Sequence, residues 1–228
     1  MKTVFSDLLS LFFPNICTLC KKTLVKGEEH LCVSCLNKLS RTYVSRYGNP
    51  TTNLFKNNID AVFSSAFLYY EKGGNTQKLI YSLKYHGNKQ LGYTLGRHAA
   101  IELQSHPDFV LPDLLIPVPL HPKRQRKRGY NQSEWIAKGM NSILGCVIDT
   151  SHLKRKTHTD TQTKRGVFER NINMENSFFL EKGEELSRKH ILLIDDVFTS
   201  GATVGACARL ILEQESVKVS LFALSIAK

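Results

Sequence analysis

What the sequence lacks narrows its reading first. No run approaches the ~20 apolar residues of a spanning helix, so a transmembrane protein is not expected. The apolar opening, residues 1–13 with Lys2, is broken by Asp7 and has no small-residue cleavage site, which argues against a signal peptide. It reads instead as a short amphipathic helix ended by Pro14, with Phe5, Leu8, Leu9, Phe12 and Phe13 facing inward. There is no internal repeat. Acid is scarce: 20 Asp and Glu against 31 Lys and Arg give a net charge of +11. An anionic partner is therefore in view, whether nucleotide, pyrophosphate, nucleic acid or membrane surface, and charge alone does not choose. Four of the six cysteines crowd into two CxxC pairs, which points to metal binding in a reducing compartment rather than a disulfide framework. The expected location is the cytoplasm. The remaining two, Cys146 and Cys207, sit in apolar surroundings and read as buried core thiols.

What is present fits a soluble α/β protein: 228 residues, 42% hydrophobic and 22% charged, enough for one sizeable domain and a small module. Three regions are expected: an N-terminal helix and cysteine module over 1–46, a polar linker over 47–60, and an α/β domain over 61–228. Within the last, strands are expected at 61–70, 114–118, 146–148, 191–194 and 217–225, and helices at 75–85, 90–103, 132–144 and 203–214. Residues 153–178 are polar, basic and poorly periodic, and read as a long mobile loop. The alternation implies a mostly parallel sheet, with ligand beyond the carboxyl ends of its strands.

The sharpest motif is Asp195-Asp196-Val197-Phe198-Thr199-Ser200-Gly201-Ala202-Thr203. Ile191-Leu192-Leu193-Ile194 delivers two acids to the end of a buried strand, and a hydroxyl-rich turn then enters a helix. Asp195 and Asp196 can accept hydrogen bonds from vicinal ribose hydroxyls. Thr199, Ser200, Gly201, Ala202 and Thr203 present hydroxyl and N–H groups to a 5-phosphate at a helix N-terminus, where the dipole favours an anion. Two blander readings compete: a strand-turn-helix capped by Thr203, and carboxylates holding a metal or phosphoacceptor site. The nine residues resemble the signature by which type I phosphoribosyltransferases bind 5-phosphoribosyl 1-pyrophosphate (PRPP).

A second segment is basic. Pro119, Leu120, Lys123, Arg124 and Arg128 lie in an expected loop, and residues 114–170 hold 12 Lys and Arg against 4 Asp and Glu. Such cations suit a pyrophosphate leaving group, whose charge builds as the C1–O bond breaks. A solvated basic face and contact with a nucleic-acid backbone are the alternatives, the latter with Tyr93, Tyr130 or Phe168 stacking on bases. Further on, Arg155, Thr159, Gln162, Arg165, Glu169, Arg170 and Asn173 fit the polar face of a lid that excludes water, or a plain surface loop. Arg155 and Arg170 would assist at the pyrophosphate.

Cys17, Cys20, Cys32 and Cys35, with eleven residues between the pairs, suit a closed structural Zn²⁺ site whose metal supplies folding energy to a small segment. Reduced core thiols or two disulfides are the alternatives, and His30 reads as a surface residue.

Together these segments resemble the ComF/GntX-like, competence-associated family, over nearly the whole chain. The resemblance runs through both CxxC pairs, Leu83-Lys84-Tyr85-His86-Gly87, Pro117-Val118-Pro119-Leu120-His121-Pro122, Arg128-Gly129-Tyr130-Asn131-Gln132, the spaced Arg155, Thr159, Gln162, Arg170 and Asn173, and the acidic loop. Ser200 stands where a second Thr is usual, and Thr161 and Arg165 replace apolar or Pro-like lid residues. The resemblance implies a type I phosphoribosyltransferase-like fold behind a zinc module, with PRPP carried as its Mg²⁺ complex. The expected activity is transfer of the phosphoribosyl group to an unknown acceptor with pyrophosphate release; the alternative is a non-catalytic role in DNA uptake, with single-stranded DNA or competence proteins as partners. No residue in the sequence stands out as a selector of an acceptor base.

Overall fold

The computed structural model describes residues 14–44, 49–55, 59–156 and 177–227. The expected N-terminal helix over 1–13 and most of the expected lid, including Thr159, Gln162, Arg165, Phe168, Glu169, Arg170 and Asn173, lie outside them. In chain order the elements are α1 (Val33–Asn37), α2 (Thr52–Phe55), β1 (Phe63–Tyr70), α3 (Asn75–Tyr85), α4 (Lys89–Gln104), β2 (Leu114–Pro117), α5 (Pro122–Arg128) and α6 (Gln132–Leu144). They continue with β3 (Val147–Ile148), β4 (Leu153–Arg155), β5 (Phe178–Leu180), a 3₁₀ turn (Gly183–Leu186), β6 (His190–Phe198), α7 (Ala202–Leu212) and β7 (Lys218–Ala227).

Five strands form one sheet in the order β1-β7-β6-β2-β3, every pair parallel. Such a sheet is covered on both faces, which is why its central strands are apolar without alternation. In β6, Ile191 and Leu193 join the core beneath α7, while Leu192 and Ile194 join the core beneath α3, α4 and α6. Helices α4 and α6 pack backbone to backbone. A Cβ on Gly139 would sit 2.0 Å from the Tyr93 carbonyl oxygen, so only glycine permits this approach. The close packing fixes the N-terminus of α6 over the end of β6.

One expected loop proves to be a helix, and another begins and ends on short strands. The basic segment is helix α5: Pro122 occupies its first turn, the His121 ring accepts a hydrogen bond from the Lys123 N–H at 3.2 Å, and Gly129 closes it in the left-handed region. The stretch 153–178 has β4 and β5 at its two ends, paired antiparallel, so Arg155 stands on a strand. Strand β6 is also longer than its hydrophobic run and carries both acids within it. Of the two isolated cysteines Cys207 is buried, whereas Cys146 is only half-buried.

The cysteine module leans on the sheet. The Thr42 N–H donates to the Phe67 carbonyl at 3.1 Å and the Tyr69 N–H to the Ser40 carbonyl at 2.7 Å, which extends the sheet beyond β1 with an antiparallel bridge, Arg41 to Leu68. Cys17, Leu31 and Leu39 share one apolar core with Leu79, Leu83, Leu91 and Leu95. Ion pairs from Arg41 to Glu102 (3.2 Å) and Arg97 to Glu29 (3.6 Å) frame that contact. In the stretch expected as linker, Thr51 and Phe55 are buried, and Phe55 meets Phe198 edge-on at 5.1 Å.

Candidate functional site

At the carboxyl end of the sheet, β2, β4 and β6 open into a cleft of about 320 Å³. Its floor is Asp195, Asp196 and Val197. Its walls include Pro119, Leu120, Arg124, Arg128, Arg155, Thr199 and Thr203. These expected site residues come together from three separate stretches of chain. Others do not line the cleft: Ser200, Gly201, Ala202 and Lys123 lie off it, and Arg170 falls outside the described residues. Gly201 has another task. It holds φ +71 at the start of α7, and a Cβ there would stand 2.7 Å from the Phe55 ring, so the turn and α2 fit only with glycine.

The acids are met by donors that sequence reasoning did not assign. Lys84 Nζ lies 2.9 Å from Asp196 Oδ2. The Gln132 side-chain amide donates to the same oxygen at 2.9 Å, and the Ser133 hydroxyl donates to Asp195 Oδ1 at 3.3 Å. The Asp196 N–H also bonds Asp195 Oδ1, at 2.8 Å. Burial, reinforced by the charge of Asp196, pushes the Asp195 carboxyl up to about 7. Gln132 and Ser133 open α6, where Asn131 accepts from the Ser133 N–H and donates to the Val118 carbonyl. This capped helix end adds its dipole to the cleft. The available signal for Lys84 was its place in the last turn of an amphipathic helix, immediately after the buried Leu83.

The same cleft has a cationic wall. Arg124 and Arg128, four apart on α5, turn together into the cleft, and Arg155 joins them from β4. Burial, and then the nearby Arg124 charge, lowers the Arg155 pKa. Of the four buried side-chain polar atoms among the described residues that have no hydrogen-bond partner, two belong to residues lining the cleft: Arg128 Nη1, a donor, and Gln132 Oε1, an acceptor. A cleft with spare hydrogen-bonding capacity, a cationic wall and a carboxylate floor is built for a polar anion that also carries hydroxyl groups. Tyr130 does not serve as a stacking surface: it is buried, and its hydroxyl donates to the Leu83 carbonyl. The exposed aromatics at the mouth are Tyr81 and Tyr85, whose rings lie 4.7 Å apart, with the Arg128 guanidinium 5.6 Å from the Tyr85 ring centre.

The second site is the cysteine cluster. All four Sγ atoms lie within 4.8 Å of one another, and those of Cys20 and Cys32 are 3.7 Å apart. That spacing fits the edge of a tetrahedron built on metal–sulfur bonds of about 2.3 Å. The Cys32 N–H points at Cys17 Sγ and the Cys35 N–H at Cys32 Sγ, each at 3.4 Å. Burial opposes ionisation of Cys17, but N–H groups of Cys20, Cys32 and Leu19 outweigh it and bring the thiol down to about 6. The donor set therefore fits a metal ion. The side chain of His30 is not among the clustered ligands.

Among the described residues no helix is long and apolar enough to cross a membrane. No family model matches the chain. Individual relatives do. Over 227 residues, 94% of this chain and 98% of the relative, it is 27% identical to the DNA utilization protein YhgH of Shigella flexneri. It is 27% identical over 229 residues to the competence protein ComFC of Streptococcus pneumoniae, covering 98% of this chain and 95% of that protein. A 102-residue stretch, 44% of each chain, is 34% identical to competence protein F of Haemophilus influenzae. Similarity to the first two relatives runs nearly end to end, and with the cysteine cluster and parallel sheet described above these relatives support a ComF-like family of competence and DNA-utilization proteins.

Proposed function

We propose that the cleft binds the ribose 5-phosphate and pyrophosphate of PRPP, in a protein that serves DNA uptake or use. One observation carries the reading: Asp195 and Asp196 line one cleft together with Arg124, Arg128 and Arg155. The carboxylates would take the ribose hydroxyls, Thr199 and Thr203 the 5-phosphate, and the arginines the pyrophosphate. Transfer at such a site breaks the C1–O bond to pyrophosphate, and both bonding electrons leave with it. An acceptor lone pair forms the new bond at C1, and the acceptor then gives up its proton. Cations fixed where the leaving charge develops lower that barrier. The cysteine cluster would hold Zn²⁺, closed to substrate and structural. Mg²⁺ would arrive on the pyrophosphate. On the protein side, Asp196 Oδ2 is already held by Lys84 and Gln132, so that oxygen is not open to a metal, and no step is assigned to that ion.

A second reading, a single-stranded DNA groove, is favoured by Tyr81 and Tyr85. They expose 54% and 63% of their surface beside the cations of α5. Calorimetric titration with PRPP compares the readings. Binding should fall at least about 100-fold in the double variant Asp195→Asn plus Asp196→Asn, since each lost carboxylate removes charge-assisted hydrogen bonds. Unchanged binding would sink the pocket assignment. Titration with a single-stranded oligonucleotide across a salt series, with Arg124, Arg126 and Arg128 changed to Ala, supports the second reading only if affinity and salt slope both drop.

A further inference from the structure

We infer that Lys84 is a built-in counter-ion, which allows the cleft to take up its sugar phosphate without a divalent cation. This rests on the ribose-phosphate reading above and names what neutralises the acid pair within it. A ribosyl pyrophosphate brings several negative charges to a floor that already carries two carboxyl groups. Something positive must stand between them, and a divalent ion held by carboxylate and phosphate oxygens is the usual device.

Here the place is filled by the chain itself. The Lys84 ammonium sits 2.9 Å from Asp196 Oδ2, with side-chain exposures of 25% and 11% for the pair. The Gln132 amide bonds the same oxygen. A metal bridging the two carboxylates through that oxygen would have to expel the ammonium or accept its repulsion at contact distance.

Nor is Lys84 free to swing away at no cost. It lies in the last turn of α3, where the helix dipole favours a cation. The preceding residue, Leu83, is wholly buried, and its carbonyl is tied to the Tyr130 hydroxyl. The turn that carries the ammonium is therefore anchored to the core, and the charge is set in place before any ligand arrives. Each acid keeps its other oxygen for the ligand: among the described residues, no hydrogen bond engages Asp196 Oδ1 or Asp195 Oδ2.

The test titrates the full, metal-loaded chain with the sodium salt of PRPP in magnesium-free buffer, then again with millimolar magnesium. No chelator is added, so that metal at the cysteines is retained. Wild-type affinity should agree within about threefold between the two buffers. Lys84→Met should lose at least about tenfold in magnesium-free buffer and recover when magnesium is added. Lys84→Arg should behave as the wild type. Lys84→Gln, which keeps a donor for Asp196 but no charge, should follow Lys84→Met and thereby separate lost charge from lost fold. A wild type that binds only with magnesium overturns the inference while leaving the ribose-phosphate reading intact, and this arm decides even if a variant fails to fold. No binding by the wild type in either buffer brings down the ribose-phosphate reading, and the inference with it.

Discussion

The cysteine cluster and the cleft are built in opposite ways. All four sulfurs come from residues 17–35, and short turns with N–H···S bonds bring them together. The cleft draws Lys84 from α3, Arg124 and Arg128 from α5, Gln132 and Ser133 from α6, Arg155 from β4 and the acids from β6. One site is a property of a short stretch of chain and the other a property of the whole sheet. The clustered thiols place like ligands side by side and need a cation to hold them. The cleft pairs acid with lysine on its floor and keeps its arginines on the wall as a cationic surplus.

Three measurements sharpen this contrast. The largest effect should come from Cys32→Ser or metal removal. Either should cost several kcal/mol in the module, because a metal bound there would contribute its binding free energy to folding. Cys17 and Leu31 share a core with Leu79 and Leu83, so hydrogen exchange should also rise in α3. Protection lost only from residues 14–42 would show the module to be energetically separate.

A moderate effect is expected from Asp195→Asn. The carboxyl titrates near 3.8 ordinarily and about 7 when folded, so the fold holds this proton more tightly than the unfolded chain does. The cost of the charged form is absent below the lower value, grows between the two and is complete above the higher. The variant should therefore melt several degrees higher than wild type above about pH 7, and no higher below about pH 4. A gain independent of pH would show that burial of the Asp195 charge is not the cause.

The smallest effect concerns the base of the β4–β5 hairpin. The His152 ring lies 2.6 Å from Asp149 and 3.1 Å from Glu185. Burial resists its protonation, but hydrogen bonds and charge from those two acids outweigh it and raise its pKa. The stabilisation is full below the ordinary 6.5 and fades as pH rises through the higher folded value. His152→Ala should thus lower the melting temperature by a few degrees below about pH 6.5 and by less above pH 8. Equal losses at both ends would assign the effect to packing instead.

Much of this architecture was legible from residues alone. The bounds of α3 and α6 follow from apolar spacing, because a helix needs one buried stripe and these segments have one. The run Ile191–Ile194 is apolar on both faces and could only be a strand covered on both sides. Helix α5 was missed because Lys123 to Arg128 bury no stripe and so carry no period. Its signals were punctuation, Pro122 at the start and Gly129 at the end. The short strands β4 and β5 were missed because each is three residues long, too short to show a period, and its partner lies across a long gap in sequence.

By itself, then, the sequence determined the two chemical centres, four cysteines at metal-ligand spacing and two adjacent acids on a buried strand, because both are matters of local order along the chain. Only the tertiary structure decided how those acids are neutralised. Lys84 is 112 positions from Asp196, and Gln132 is 64. Periodicity shows which side of a helix goes inward but not what it will meet there. The parallel sheet and the close packing of α4 on α6 made that choice.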